Sequence, residues 1–423
     1  MAWSGTREAG NNPMQGDRTA LSAADAARSR AVAYLLAARA LRDFGDGFVA
    51  VLLPVYLIAL GFSPLEIGVI ATAALLGSAL LTLGIGMIGS RHDRQRLLLA
   101  GASLMTATGV GFAIVHDFAL LLVVAFAGTI NPSGGSVSVF VPLEHAVLSG
   151  EVSNARRTGM FARYSLIGAL SAAFGALAAA SPQYLSAAGV EQLTAIKAMF
   201  VLYALLGVAG CLLYARIPRL PPRAGAEPAG ALGPSRHIVY RLAALFSLDA
   251  FAGGFVVQSL LALWLFERFD LSLSAASLFL FWSGILSAFS FPVAAWLSRR
   301  IGLINTMVFT HIPSSVCLIL AAFAPSLSLA LTLLLVRAAL SQMDVPTGSS
   351  YVMAVVTEAE RPAAASFTSV PRSLAAAASP ALAGALFAAS FQMLPLLICG
   401  TLKIAYDLLL LRQFRRVKPP EEL

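Results

Sequence analysis

Of the 423 residues, 58% are hydrophobic and only 12% are charged, about half the charged share of roughly 25% usual in a soluble domain. There are too few polar side chains to cover a water-facing body of this size, so lipid is the solvent for most of the chain. The formal net charge of +8 does not imply nucleic acid as a partner, because the basic residues fall where a membrane protein places them.

Residues 1–31 contain no apolar core long enough for a secretory signal and read as an Ala-rich, basic cytoplasmic tail. Apolar runs follow at 34–60, 65–88, 97–115, 118–143, 160–181 and 193–215. After a Pro/Gly/Arg-rich break they resume at 242–266, 273–297, 303–323, 326–348, 364–389 and 392–411. A hydrocarbon core about 30 Å thick takes roughly 20 residues of helix. Backbone groups in lipid must be bonded within their own segment, so these Ala/Leu/Gly runs are expected as helices and not strands. Twelve spans are expected, with both termini on one side. Lys197 and Arg268 are the basic residues of the outside loops, while most of the 29 Lys and Arg residues lie in inside segments. The positive-inside rule therefore puts both termini in the cytoplasm, and the expected location is the inner membrane.

The break at 216–240, with Pro218, Pro221, Pro222, Pro228 and Pro234, has the composition of a flexible linker. It separates bundles of six helices at 32–215 and 241–413, leaving 414–423 as a second tail. Features recur at similar spacing in both halves. Gly47-Phe-Val49 matches Gly254-Phe-Val256, Pro132-Ser-Gly-Gly-Ser136 matches Pro346-Thr-Gly-Ser-Ser350, and Arg163 matches Arg372. Duplicated halves are common in secondary transporters.

The segment between the second and third spans reads Gly86-Met-Ile-Gly-Ser90-Arg91-His92-Asp93-Arg94-Gln95-Arg96, with a degenerate second copy at Trp296-Leu-Ser-Arg299-Arg300-Ile-Gly302. Arg337-Ala-Ala-Leu-Ser-Gln342 forms an Arg-x-x-x-x-Gln pattern in the tenth span. On these motifs the chain resembles the major facilitator superfamily, from Tyr34 to Phe414. The loop's basic positions fit, although Ser90 and Arg299 stand where that family usually has Asp. The fifth span has Gly168 and Gly175 without the proline of the antiporter signature. The resemblance implies an all-α membrane fold of two pseudo-symmetric six-helix bundles. It also implies loop charges that lock one conformational state, so Arg91, Arg94 and Arg300 are gating candidates.

The charges inside the spans carry the functional reading. Arg39, Arg42, Asp43 and Asp46 fall within an arc of roughly 100° on the first helix, with Arg39–Asp43 and Arg42–Asp46 spaced to pair. An unpaired charge at a helix centre costs about 2.5–3.5 kcal/mol on insertion scales, so such a stripe should face the bundle interior or a wet cavity. Arg337, Ser341 and Asp344 repeat the pattern in the tenth span, beside Pro346 and Gly348. Asp46, Asp43, Arg42, Asn131, Asp249, Arg337 and Asp344 are the candidates for solute binding and coupling, with Asp46 first and Asp249 second. Glu144 is a candidate partner for Arg163, and both join Arg372 as gating candidates. Lys403 and Asp407 are expected as a structural pair, and His311 as a satisfied core histidine.

No metal-ligand spacing, nucleophile constellation or phosphate loop is present, so neither an enzyme nor a cofactor or metal is expected. The expected function is secondary active transport of a small solute by alternating access, with proton-coupled efflux as one form. The partners are then the solute, protons and the bilayer. The rival reading is a non-transporting receptor or assembly factor on a transporter fold, which would lack a central pocket.

Overall fold

The computed structural model describes residues 13–88, 93–133, 138, 140–151, 154–217, 233–357, 360–415 and 417. Sixteen α-helices run through them. The first half holds α1 (Pro13–Ala59), α2 (Pro64–Ile88), α3 (Arg94–Ile114), α4 (Phe118–Ala127), α5 (Phe140–Glu151), α6 (Asn154–Ala178), α7 (Ser181–Ala187) and α8 (Gln192–Ala215). The second holds α9 (Arg236–Gly254), α10 (Gln258–Phe269), α11 (Leu273–Ile301), α12 (Leu303–Ala322), α13 (Leu327–Ser341), α14 (Asp344–Ala354), α15 (Arg361–Ala388) and α16 (Leu394–Phe414).

Nine segments of the described residues are long and apolar enough to cross a bilayer. The remainder, α1, α4 with α5, and α15, fall short because they carry charges or a break. Interrupted pairs follow one another at α4/α5, α9/α10 and α13/α14, and α6 with the short α7 forms a single span over Arg163–Ala187, so sixteen helices are consistent with twelve crossings. Large side chains such as Val123, Leu205, Leu212, Phe289 and Phe309 are exposed. Apolar surface so widely distributed is tolerated only against lipid or a partner.

The breaks follow from local sequence. Between α4 and α5, the Gly128 backbone approaches so closely that a Cβ would lie 2.5 Å from Thr108 Oγ1, and that hydroxyl accepts from the Thr129 N–H at 3.2 Å. A side chain thus satisfies backbone that helix no longer can. Pro346 sits in the first turn of α14, where its missing N–H costs nothing. The first helix starts at Pro13, well before the expected span, so the segment expected as a tail continues it. Its many alanines are the best intrinsic helix formers.

Apolar packing distinguishes the two ends of the molecule. Where α2 begins and α15 finishes, one buried cluster runs through both halves and includes Leu53, Tyr56, Ile70, Trp264, Phe279 and Leu396. At the other end the cores are separate, one around Leu35, Leu98, Phe140 and Tyr214, the other around Leu242, Val308, Tyr351 and Leu410. At the shared end α2 meets α15 at Gly68 and Gly384. A Cβ on either glycine would lie 2.9 Å from the other's Cα and 2.5 Å from a carbonyl oxygen of Pro380 or Pro64. The Ala381 N–H, one residue past Pro380 inside α15, donates to Thr72 Oγ1 at 2.9 Å. Ser274 N–H donates to Gln183 Oε1 at 2.7 Å, and Ser259 N–H to the Pro132 carbonyl at 3.1 Å. The halves are therefore locked together at this end.

Polar ties hold helix termini at the opposite end. Gln95 donates to the carbonyls of Tyr214, Ala215 and Ile217 at 3.1, 3.1 and 2.7 Å, covering the orphan acceptors that finish α8. In the second half Glu360, just before α15, accepts from Thr357 Oγ1 at 2.6 Å, Ser235 Oγ at 2.7 Å and Gly233 N–H at 2.7 Å. The Thr357 and Ser235 hydroxyls hold its carboxyl down at about 2, against an ordinary glutamate near 4.3. A carboxyl depressed on folding contributes fully above the ordinary range and loses that contribution as pH falls toward the folded value.

Two outcomes are expected. Gly384→Val should cost about 1–3 kcal/mol through overpacking and open the locked end, read as faster labelling of a thiol introduced at Ile67→Cys. Glu360→Gln should lower the melting temperature at neutral pH and flatten its decline between about pH 5 and pH 2, read in acid-stable detergent by scanning calorimetry.

Candidate functional site

Two ionic clusters occupy the interior, one in each half. In the first, Arg39, Arg42, Asp43 and Asp46 of α1 are all at least nine-tenths buried, as their one-sided spacing requires. Arg39 Nε lies 2.6 Å from Asp43 Oδ2, along the helix as expected. Arg42 instead turns across to Glu144 of α5 in a two-pronged pair, Nη1 to Oε1 at 2.9 Å and Nη2 to Oε2 at 3.1 Å. A guanidinium fork matches a carboxylate better than it matches a side chain above it on its own helix. The expected Arg42–Asp46 pair is thereby replaced.

Glu144, fully buried, also accepts from Tyr214 OH at 2.5 Å and from Tyr164 OH, while Arg39 Nη1 donates to Tyr164 OH at 3.3 Å. The Arg42 guanidinium lies over the Phe140 ring and that of Arg39 over Tyr164, 4.5 and 4.7 Å from the centroids. Gly168 of α6 makes room for this. A Cβ there would stand 2.4 Å from Asp43 Oδ2 and 2.6 Å from Arg39 Nε. Asp46 sits apart, 1% exposed, and accepts from Tyr203 OH at 3.2 Å; no ion pair joins it to a described residue.

The second cluster is a chain of contacts between α9, α12 and α16. Lys403 Nζ donates to Asp249 Oδ1 at 2.6 Å and lies 3.3 Å from His311 Nε2. His311 Nδ1 lies 3.1 Å from Asp407 Oδ1. With Nδ1–H donating to the carboxylate, a neutral ring offers Nε2 as acceptor to the ammonium. Arg372 of α15 approaches Asp249 Oδ2 at 3.9 Å. The expected pair between Lys403 and Asp407 is corrected: each finds its closest partner on another helix, because three helices converge here and shorter contacts are available across them than along α16. His311 is 2% exposed, in keeping with a satisfied core histidine, yet it bridges two acids and a lysine.

A cavity of about 310 Å³ opens beside this chain, away from the locked end. Asp249, Asp344, Arg372 and Tyr406 line it with Thr368 and Ser349, against apolar walls from Phe246, Met307 and Val352.

Other expected residues are placed differently. Asn131 Oδ1 accepts from the Ser133 N–H at 2.9 Å, shaping the turn after α4. Arg337 is partly buried, and the Ser314 hydroxyl donates to its carbonyl at 3.3 Å; its guanidinium makes no ion pair with a described residue. Arg163 is exposed and does not reach Glu144, which Arg42 has taken. Arg300 is exposed and lies 4.5 Å from the Trp296 ring centroid, Arg94 begins α3, and Arg91 lies outside the described residues. Tyr164, Tyr203 and Tyr214 were missed in the sequence. Their one available signal was a phenol inside an apolar run, which needs a buried partner.

The family model described as Major Facilitator Superfamily matches residues 35–336 and, in a second match, 242–423. The chain belongs to the Major Facilitator Superfamily. Matches that begin in each half agree with the repeated features noted above. An uncharacterized membrane protein of Saccharomyces cerevisiae, YJR124C, is 22% identical over 91% of this chain and 94% of its own length. Among solved structures, the superfamily fold is shared with a bacterial homologue of the human lysosomal transporter Spinster in its inward-facing, occupied conformation (TM-score 0.74, 16% identity, 92% of this chain and 98% of that one). The nucleoside transporter NupG follows (0.69, 14%, 91% and 99%), with a bacterial homologue of the iron transporter ferroportin in an inward-facing state (0.64, 15%, 89% and 98%). At these identities the likeness is one of fold. A transporter family, and not an enzyme family, thus accounts for the multi-pass chain.

Removing one member of the Arg42–Glu144 pair should be costly. Glu144→Ala leaves the buried Arg42 guanidinium with only Asp43 Oδ1, 3.5 Å from its Nε, as a carboxylate partner, and is expected to destabilise by about 3 kcal/mol, whereas Tyr214→Phe should cost about 1.5 kcal/mol. Thermal unfolding of the purified variants in one detergent checks both the sizes and their order.

Proposed function

We propose that this superfamily member is a secondary active transporter that carries a small solute across the inner membrane by alternating access, coupled to protons. The supporting observation is the asymmetry of the halves: sealed by Gly68, Gly384 and Thr72 at one end, with a polar cavity around Asp249, Asp344 and Arg372 toward the other. The cavity is lined by the second half alone, and a site accessible from one side at a time is what alternating access requires. The movable bodies are taken as 32–215 and 241–413; of the expected linker at 216–240 the residues from Arg236 belong to α9, and of the expected tail at 1–31 those from Pro13 belong to α1, with 414–423 as the second tail. With both termini cytoplasmic, as the basic loops argue, the cavity faces the cytoplasm.

Asp46 is our first coupling acid. It is buried, bonded to Tyr203 and without a cation in an ion pair, so taking up a proton removes a buried charge without breaking a salt bridge. Asp249 is the second, because its ties to Lys403 and Arg372 lie at the cavity wall and are open to competition. Where proton and solute favour different states, an inward proton gradient drives the solute outward, which is export. Glu144 and Arg372 belong to the parts whose partners change between states, Glu144 by tying α5 to α1 and α6, Arg372 by reaching into the cavity from α15. The cavity argues against an assembly factor, which has no use for one, and flux distinguishes a transporter from a non-transporting receptor.

Proteoliposomes enclosing a pH-sensitive dye test the coupling. Addition of a transported solute should move protons through the wild-type protein and about tenfold more slowly, or not at all, through Asp46→Asn. Undiminished solute-driven proton movement in that variant would remove Asp46 from the mechanism.

A further inference from the structure

In the cavity of the second half one carboxylate has no hydrogen bond or ion pair with a described residue, although Lys403 and His311 lie within electrostatic reach of it. Asp344, the first residue of α14, is 8% exposed and lines the cavity. No hydrogen bond or ion pair joins its carboxylate to a described residue; its Thr347 contact runs from the hydroxyl to the Asp344 backbone carbonyl. The other acid on the wall, Asp249, is already engaged by Lys403 at 2.6 Å and approached by Arg372 at 3.9 Å. Position at the start of a helix favours a negative charge. That help is small beside the cost of taking a carboxylate out of water; Lys403 is committed to Asp249 at 2.6 Å, so a cation seated in the cavity would be the nearest partner open to Asp344.

The walls indicate what kind. Phe246, Met307 and Val352 give apolar walls to the same cavity, and Tyr406 adds an aromatic side chain to its lining, a setting that suits an organic cation. A bare divalent ion would need about six oxygen ligands, and no group of three or more candidate metal ligands occurs among the described residues. A volume of about 310 Å³ is at the low end for small-molecule sites.

We propose that this cavity binds a small organic cation, an amine or quaternary ammonium, with its charge on the Asp344 carboxylate and its apolar part against Phe246, Met307 and Val352. This deepens the transport reading and takes its biological meaning from it, but it is a statement about binding and stands or falls separately.

The test uses the full chain in nanodiscs and follows its melting temperature against benzyltrimethylammonium, tetraethylammonium and phenethylamine, with benzenesulfonate as an anion of similar size. At least one cation should raise the melting temperature saturably, and benzenesulfonate should not. Asp344→Asn should weaken the apparent affinity about tenfold or more, and Asp344→Glu, which keeps the charge, should bind between the two. Each variant is first shown to unfold cooperatively without ligand; if Asp344→Asn does not, the Glu variant and the cation-to-anion preference of the wild type decide. Equal binding by a folded Asp344→Asn, stronger binding of benzenesulfonate, or no shift with any of the three cations would overturn the assignment. Cation binding that depends on Asp344 in a protein carrying no flux would sink transport and keep this site. Flux that ignores solute charge would do the reverse.

Discussion

Ionic side chains in hydrocarbon impose the constraint around which this molecule is organised. Each costs a few kcal/mol at the centre of a bilayer unless it turns inward and finds partners. In the first half that demand is met by Glu144, which receives the Arg42 fork and two tyrosine hydroxyls from α6 and α8. One carboxylate therefore ties together α1, α5, α6 and α8. Gly168 contributes by omission, since any side chain there would occupy the space of the Arg39–Asp43 pair. The network is dense without being complete, since Arg39 Nε, Arg42 Nε and Asp43 Oδ1 are buried without a hydrogen bond.

The second half solves the same problem differently. Lys403, His311, Asp249 and Asp407 form a linear chain, and one end of it borders a cavity. Asp407 Oδ2 is buried without a partner, and Arg372, with a side chain 42% exposed, only approaches Asp249. Both clusters keep buried atoms without a hydrogen bond, and they differ in that the cluster of the second half borders a cavity.

Between the halves, affinity at the locked end comes from backbone proximity more than from side-chain chemistry. The Gly68–Gly384 approach, the Ala381 N–H and the hydroxyl of Thr72 are contacts that form or fail as a set. Packed surfaces of this kind are bistable and do not deform continuously. At the opposite end each half has a core of its own, so parting there exposes neither cluster.

Helical class, spans and duplicated halves were legible in the sequence because hydrophobicity in lipid is a local property: each run must satisfy its own backbone wherever its neighbours lie. The inward stripe on α1 was legible for the same reason, and so was the Arg39–Asp43 pair, which spans one helical turn. Partner choice was not. Arg42 passed over Asp46 for Glu144, Lys403 passed over Asp407 for Asp249, and Arg163 stayed exposed. Residues four apart on a helix can meet, but a better-oriented carboxylate on a neighbouring helix wins, and only the assembled bundle decides which helix that is. The three tyrosine hydroxyls, the role of His311 and the end at which the molecule is sealed belong likewise to tertiary structure, since each depends on distances between segments that no periodicity along the chain encodes.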